Sequence, residues 1–484
     1  MRNITLKRSE KTILSRIRFT SIASYWAIGL ALTSACTTAN AAQPLCPIVG
    51  WAEGLHQYQN SGAQVPTQEP QTDCQFHQWS WEAFVWATAK VGDNLRFMTL
   101  PTLSDLLKPQ GYTEGVRALV LGTRGVMAHG AGSKDEESAG AIVQADGNML
   151  VAPNGYPVLA SVHMNASYFK TAQRNLVWTK GYQTNPNRDD YFDTGAFVVK
   201  ATWLRLAEGE MPPLGAYTTT AQVPILAIDK RGKNVSPVEG KFVSAKVALL
   251  GLHVVGTTVN HPEFLWATFE HKLNSPRFDD NTFDINKPPN PKNYTLYRAG
   301  TPMSATNIAN NTAPPILRFN EQTQRFTPST NAVLYNKTGG ENHSPAGPSN
   351  IANLNESAQT FLSNSGFKDL ASYDLIGTVW LKPNFYTGKN LSKFDQLQTR
   401  AVGSVNLANS TAETFQQAAS NQKRTEWKNC FSCHNTTVYA PGKPPLNPRR
   451  VAISHVLEVG TPYAVMNSIP IHNSAAEDDT APKQ

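Results

Sequence analysis

The sequence predicts an α+β fold: a large β-rich N-terminal body followed by a helical and irregular C-terminal segment. Three observations predict it. A tryptophan-rich run, Phe76–Ala89, has helical spacing. Short alternating runs separated by Pro, Asn and Gly clusters begin near Tyr191. A helix-start signal at Ser410 precedes a C-terminal cysteine motif. Of the 484 residues, 9% are aromatic and 16% charged, too many rings and too few charges for a disordered chain. Neither heptads, a collagen period, multiple apolar spans nor a solenoid repeat is present, which excludes those classes.

Taken in order, Met1–Arg18 carries six basic residues against Glu10. The apolar stretch Phe19–Ala35 follows, then the small-residue site Ala39-Asn40-Ala41. Residues 1–41 read as a secretory signal peptide. The competing reading is a single membrane anchor. Cys36 fits a lipidation site poorly, and no twin-arginine pair stands before the apolar run. Removing the segment lowers the net charge from +7 to +2, so the basic balance belongs mostly to the targeting sequence. No basic stripe or aromatic-basic interleaving points to nucleic acid. No stable membrane span is expected after signal removal.

Export leaves four cysteines, Cys46, Cys74, Cys430 and Cys433. In an oxidising compartment Cys46 and Cys74 are expected to pair, a loop closure worth about 3–4 kcal/mol. Two buried thiols are the alternative.

The body spans 42–395. Ala42–Thr72, rich in Gln, Pro and Gly, reads as an extended lead-in. Phe76–Ala89 follows as an amphipathic helix locked by Cys74. Gly130–Gly140 is aperiodic and reads as a loop. The β-type runs are Ala196–Leu206, Thr218–Asp229, Lys241–Val259, Phe264–Glu270 and Tyr373–Lys382, with breakers at 285–293 and 338–350. In the segment 396–484, Ser410 and Glu413 form a capping-box pattern that predicts a helix from Ser410 to Trp427. The tail from Ser474 to Gln484 is small and polar, and reads as disordered.

Cys430-Phe431-Ser432-Cys433-His434 is a C-x-x-C-H motif. Two thiols at this spacing can add to the two vinyl groups of one haem, and the next residue then lies beneath the iron as its axial ligand. A redox disulfide would need a thioredoxin-like frame, and a zinc site two further ligands. A plain disulfide leaves His434 unexplained. One covalent haem c is therefore expected, with Cys430, Cys433 and His434 binding it.

These residues, behind an export signal, resemble a c-type cytochrome. The stretches Ala196–Trp203, Gly251–His271, Leu407–Phe415 and Asn429–Asn435 are similar to secreted, single-haem bacterial cytochrome c family proteins of unclear role. The resemblance implies a bacterial protein, periplasmic or secreted. Unlike a small cytochrome, this chain leaves only 50 residues after His434. The body is therefore expected to share the haem pocket, with some of Trp79, Trp81, Phe84, Trp86, Trp203 and Trp266 packing on the haem or on the Ser410–Trp427 helix. For the second iron ligand, His455 is the first choice. Met466, His472, a body residue or an open position remain alternatives.

Other candidates are weaker. A hairpin about Asn260–Glu263 would set His253 opposite Glu270, an acid/base pair or a plain cross-strand contact. His77 and Glu82 lie on the first helix. Asp189, Asp190 and Asp193 match no calcium loop and read as a solvated turn. Arg449 and Arg450 suit either haem propionates or solvent. The expected function is periplasmic electron transfer by a mono-haem c-type cytochrome, with a periplasmic redox partner. The alternatives are a haem-dependent oxidoreductase (oxidase, peroxidase or oxygenase-like) with its substrate pocket in the body, and a haem-based sensor or binding module. The large body argues for the alternatives, and the lack of a recognisable catalytic set argues for electron transfer.

Overall fold

The computed structural model describes residues 46, 50–106, 115, 117–122, 149–175, 190–279, 281–309, 316–335, 347–382, 400–405, 408–417, 429–436, 449–454 and 469–470. In chain order its main elements are α1 (Asp73–Thr88), β1 (Val158–Met164), α2 (Ala166–Asn175), β2 (Phe197–Arg205), β3 (Thr218–Ile228), β4 (Asn234–Thr258), β5 (His261–His271), α3 (Gly347–Asn364), β6 (Tyr373–Leu381) and β7 (Ala401–Gly403). The protein is α+β, with a sheet-rich body. The central sheet runs β7-β6-β5-β4-β2-β1, every neighbour antiparallel. The 25-residue β4 serves different partners along its length: its first half pairs with β3, its second half with β5.

The strands follow from composition. β2 and β5 are rich in Val, Thr, Phe and Trp, and most of their residues are buried. Both faces of this part of the sheet are therefore covered. On the first face lie Phe197, Val199, Ala201 and Trp203 of β2, Leu252 and Val254 of β4, and Leu265, Ala267 and Phe269 of β5, all in one core with α1. On the second face Val255, Phe264 and Val379 join Tyr168 and Phe169 of α2 in a separate core.

Helix α1 departs from the amphipathic pattern. Thr72 and Gln75 form a capping box at its start. Beyond that turn the helix is buried round most of its circumference, because it lies between the sheet, α3 and the preceding chain. Three indoles show this. Trp79 donates to the Pro66 carbonyl at 3.0 Å, Trp86 to that of Ala63 at 2.9 Å, and Trp81 to Asn355 Oδ1 on α3 at 3.0 Å. A buried Trp needs such an acceptor for its N–H. Cys46 and Cys74 stand at disulfide-bonding distance, with Cα atoms 5.5 Å apart, and tie the lead-in to the first turn of α1. The lead-in itself holds two one-turn helices, Trp51–Gly54 and His56–Gln59, rather than running extended throughout.

Four segments differ from the sequence pattern. The 18-residue helix α3 begins inside the expected breaker 338–350, with Pro348 and Ser349 in its first turn. Strand β1 and helix α2 lie outside the expected elements, although α2 buries Tyr168, Phe169 and Ala172 at helical spacing. Residues 410–417, the described part of the expected Ser410–Trp427 helix, form bends and a turn, and 418–427 lie outside the described residues. The expected loop Gly130–Gly140 and the tail 474–484 lie outside the described residues. Among the described residues no helix is long and apolar enough to cross a membrane.

Candidate haem site

The cysteine motif forms a one-turn helix, α4 (Cys430–Cys433). Asn429 caps it, its Oδ1 accepting from the Phe431 N–H at 3.0 Å. The His434 N–H donates to the Cys430 carbonyl at 2.8 Å, which continues the turn and swings His434 to its end. Phe431 points the other way and is fully buried. It packs with Val451, Ala452 and Ile453 against Val255, Phe264, Val379 and Leu381 on the second face of the sheet. Cys430, Cys433 and His434 are only half-buried.

His434 is oriented on two sides. Its Nδ1 lies 3.0 Å from the Ile453 carbonyl oxygen. A carbonyl only accepts, so Nδ1 carries the proton and the lone pair falls on Nε2. Trp266, on β5, lies with its ring centroid 4.1 Å from the imidazole at a tilt of 37°, and touches Phe431 edge-on. The indole N–H donates to the Glu263 carbonyl at 3.3 Å, which holds that ring in turn. A metal-binding histidine needs this arrangement: one nitrogen tied to a carbonyl, the other left with its electrons. The donor set of two adjacent thiols and one tautomer-fixed imidazole fits a covalently attached haem.

Of the six aromatic residues expected near the haem, Trp266 alone meets the motif. Trp79, Trp81, Phe84, Trp86 and Trp203 lie in the core of the first face. Arg449 is buried, with its N–H bonded to the Thr436 carbonyl at 2.8 Å, so it is not one of a solvated pair. Arg450 lies over the Tyr191 ring at 4.5 Å. His455, Met466 and His472 fall outside the described residues.

The second constellation differs from its expected register. His253 pairs with Thr268, and Glu270 faces Gly251. Asn260 takes φ 64° and closes a two-residue turn, so His261 already pairs with Thr258. The next paired rung is Gly256 with Leu265, leaving one residue of β4 against three of β5, including Phe264 at φ 72°. This bulge shifts every later rung by two residues.

His253 still meets a carboxylate, but that of Glu413. Its Nε2 lies 2.9 Å from Glu413 Oε2, and its Nδ1 2.8 Å from Thr268 Oγ1. Lys200 of β2 binds the other oxygen of Glu413 at 3.2 Å. Asn409 Nδ2 donates to Glu413 at 2.6 Å. Glu270 accepts from the backbone and hydroxyl of Ser410. Burial raises the Glu270 pKa, and the Ser410 bonds act against that rise. Gly251 lets this turn approach: a Cβ there would stand 2.8 Å from the Phe269 carbonyl and 2.9 Å from Thr411 Oγ1. Lys200, Asn409 and Glu413 were not recognised as one site. The signal was a lone lysine inside the alternating strand FVVKATW.

The remaining candidates are structural. His77 Nδ1 and the Ser80 hydroxyl share Thr378 Oγ1, at 3.0 and 2.6 Å. Glu82 accepts from Tyr58 and Trp51, and burial raises its pKa. Asp190 accepts from Asn175 at 3.0 Å, and the Asp193 carbonyl accepts from Thr257 at 2.7 Å, which makes them turn anchors. Asp189 is outside the described residues. Comparison with protein-family models, with curated proteins and with solved structures found no match.

Proposed function

We propose that this chain is an exported, bacterial, mono-haem c-type cytochrome that takes part in electron transfer with a periplasmic redox partner. Haem c would be held through Cys430 and Cys433, with His434 on the iron. The observation that carries the reading is the His434 tautomer: its Nδ1 bond to the Ile453 carbonyl gives the neutral ring its lone pair on Nε2, the atom that would bind iron. A bound haem supplies one-electron chemistry. The chain's own residues then do the rest. Ile453 and Trp266 set the ring's orientation, and the second-face core around Phe431 excludes water from one side of the motif.

Expressed with haem-maturation machinery, the wild-type protein should keep peroxidase-active haem staining on a denaturing gel. Cys430→Ala with Cys433→Ala should abolish it. Staining that survives both substitutions would sink the reading. A second reading, a haem-dependent oxidoreductase, is favoured by one observation: the Lys200–His253–Glu413 cluster stands on the same sheet face as Trp266. Visible spectra with carbon monoxide separate the two. Low-spin iron inert to the gas supports electron transfer, and high-spin iron that binds it supports catalysis.

A further inference from the structure

Four separate stretches of chain meet around a small cleft beside the first-face core. They are the turn before β1, the end of β2, the second half of β3, and the hairpin that pairs Arg318–Asn320 with Arg325–Thr327. Leu159, Val223, Pro224 and Leu226 give the cleft apolar walls, and Leu159, Val223 and Leu226 belong to that core. Tyr156, Arg205 and Gln324 bring the polar groups.

The walls are fixed by the backbone. Strand β3 carries a bulge between Pro224 and Leu226. There the Gln324 carboxamide takes both backbone groups of Leu226: Nε2 donates to its carbonyl at 2.9 Å, and Oε1 accepts from its N–H at 2.7 Å. Arg325 follows directly, and Gly155 sets its stem. The Phe326 N–H donates to the Gly155 carbonyl at 2.8 Å, and a Cβ on Gly155 would stand 3.1 Å from the Arg325 Cβ. Gly155 takes φ 86°, which glycine adopts freely, so the arginine stem crosses bare backbone.

Two cations share one ring. The Arg205 Cζ lies 4.3 Å from the centre of the Tyr156 ring, and the Arg325 Cζ 5.2 Å. Both distances suit a cation–π contact, which consumes none of the five N–H donors of a guanidinium. Among the described residues neither guanidinium has a hydrogen bond or an ion pair. Two carboxylates of the surrounding turns are engaged elsewhere. Glu210 Oε2 accepts from Asn154 Nδ2 at 2.8 Å and from the Ala207 N–H at 2.7 Å, and Glu321 Oε2 accepts from the Ile228 N–H at 3.4 Å. Tyr156 adds a third donor. It is only 7% exposed, and its hydroxyl has no partner among the described residues, whereas a buried tyrosine hydroxyl usually finds one.

We infer that this cleft is a binding site for a small carboxylate with a short hydrocarbon stem. The Arg205 fork matches the two oxygens of a carboxylate, and the Arg325 charge and the Tyr156 hydroxyl complete the head of the site. The stem lies on Val223, Pro224 and Leu226. Apolar walls with a few convergent polar groups are the usual make-up of a small-molecule site. A bare inorganic anion would leave the apolar wall unused. The inference stands apart from the haem reading.

The test uses the purified full chain, with butyrate as the probe, butyramide as its uncharged counterpart and inorganic phosphate as a bare anion. Ligand-observed NMR titration gives each dissociation constant. Butyrate should bind saturably and more tightly than the other two. Arg205→Gln should weaken it about tenfold, the loss expected for a charge-assisted pair. Arg205→Lys should recover only part of that loss, because the charge returns without the fork. Tyr156→Phe should weaken it about threefold. Arg325 is exposed, so Arg325→Gln probes the second cation with the fold intact, and it decides the matter if thermal unfolding shows Arg205→Gln to be misfolded. No saturable butyrate binding, butyramide or phosphate bound as tightly as butyrate, or an unchanged butyrate affinity in the folded arginine variants would each overturn the inference.

Discussion

The two faces of the central sheet are covered in opposite ways. The first face meets α1 through tryptophans and phenylalanines, and polar groups inside the core bond to one another, as His77 and Ser80 do on Thr378. The second face alternates an apolar rung with a charged one, and it is covered partly by helix α2 and partly by short irregular turns. Large rings on regular elements give one well-packed arrangement and most of the stability. Short turns held by ion pairs and side-chain hydrogen bonds give placement of particular atoms. The first face makes most of the fold, and the second would carry the proposed chemistry.

Damage to the first face should therefore show mainly as lost stability. Phe84 is fully buried, stacked on Phe269 at 4.4 Å and edge-on to Trp81 at 5.3 Å. Phe84→Ala should cost about 3–5 kcal/mol in urea unfolding. A loss below about 1 kcal/mol would mean that α1 is not the main support of the sheet.

Acid provides a milder probe of the same face. His163 on β1 is buried against Phe97, with Nε2 on the Ser161 hydroxyl, and burial lowers its pKa to about 4. Its folded pKa lies below its unfolded value, so this stabilisation is complete above about pH 6.5 and is lost as pH falls toward 4. The loss should approach roughly 3 kcal/mol. His163→Gln should make unfolding less sensitive to pH across that window, and an unchanged pH profile would contradict the assignment.

On the second face the smallest change should act on placement. Gly251→Ala pushes a methyl group into the Phe269 carbonyl and Thr411. It should cost about 1–3 kcal/mol, and it should alter the haem spectrum more than Phe84→Ala does at equal folded fraction. The reverse order of spectral effects would erase the contrast between the faces.

Much of the body was legible because alternation is a long-range signal. β2, β3 and β6 lie within a residue or two of their alternating runs. What failed depends on single residues with unusual surroundings. The β4–β5 register turns on positive φ at Asn260 and Phe264, and a phenylalanine gives no sign of adopting it. Ser410 and Glu413 have capping-box spacing, yet each is drawn away by a tertiary partner. Ser410 goes to Glu270, and Glu413 to His253 and Lys200. Asn409 takes over the capping, accepting from the amides of Ala412 and Glu413 at 2.8 Å. At the candidate site, the motif residues were plain from spacing. Ile453 contributes a backbone carbonyl, which no side-chain pattern can reveal, and Trp266 was one of six equivalent candidates.

The buried Phe431 also imposes an order in time. It sits between the two cysteines and is sealed under the second-face core. Joining both thiols to a planar ring wider than the motif requires that this short stretch be loose and reachable from either side. Six of the sheet's nine strands, the path β7-β6-β5-β4-β2-β1, precede the motif in synthesis, whereas the pairing of 469–470 with β4 follows it. On the proposed haem reading, the body would form a seat while attachment proceeds on the C-terminal segment, and docking of Phe431 would then act as a latch that closes after attachment.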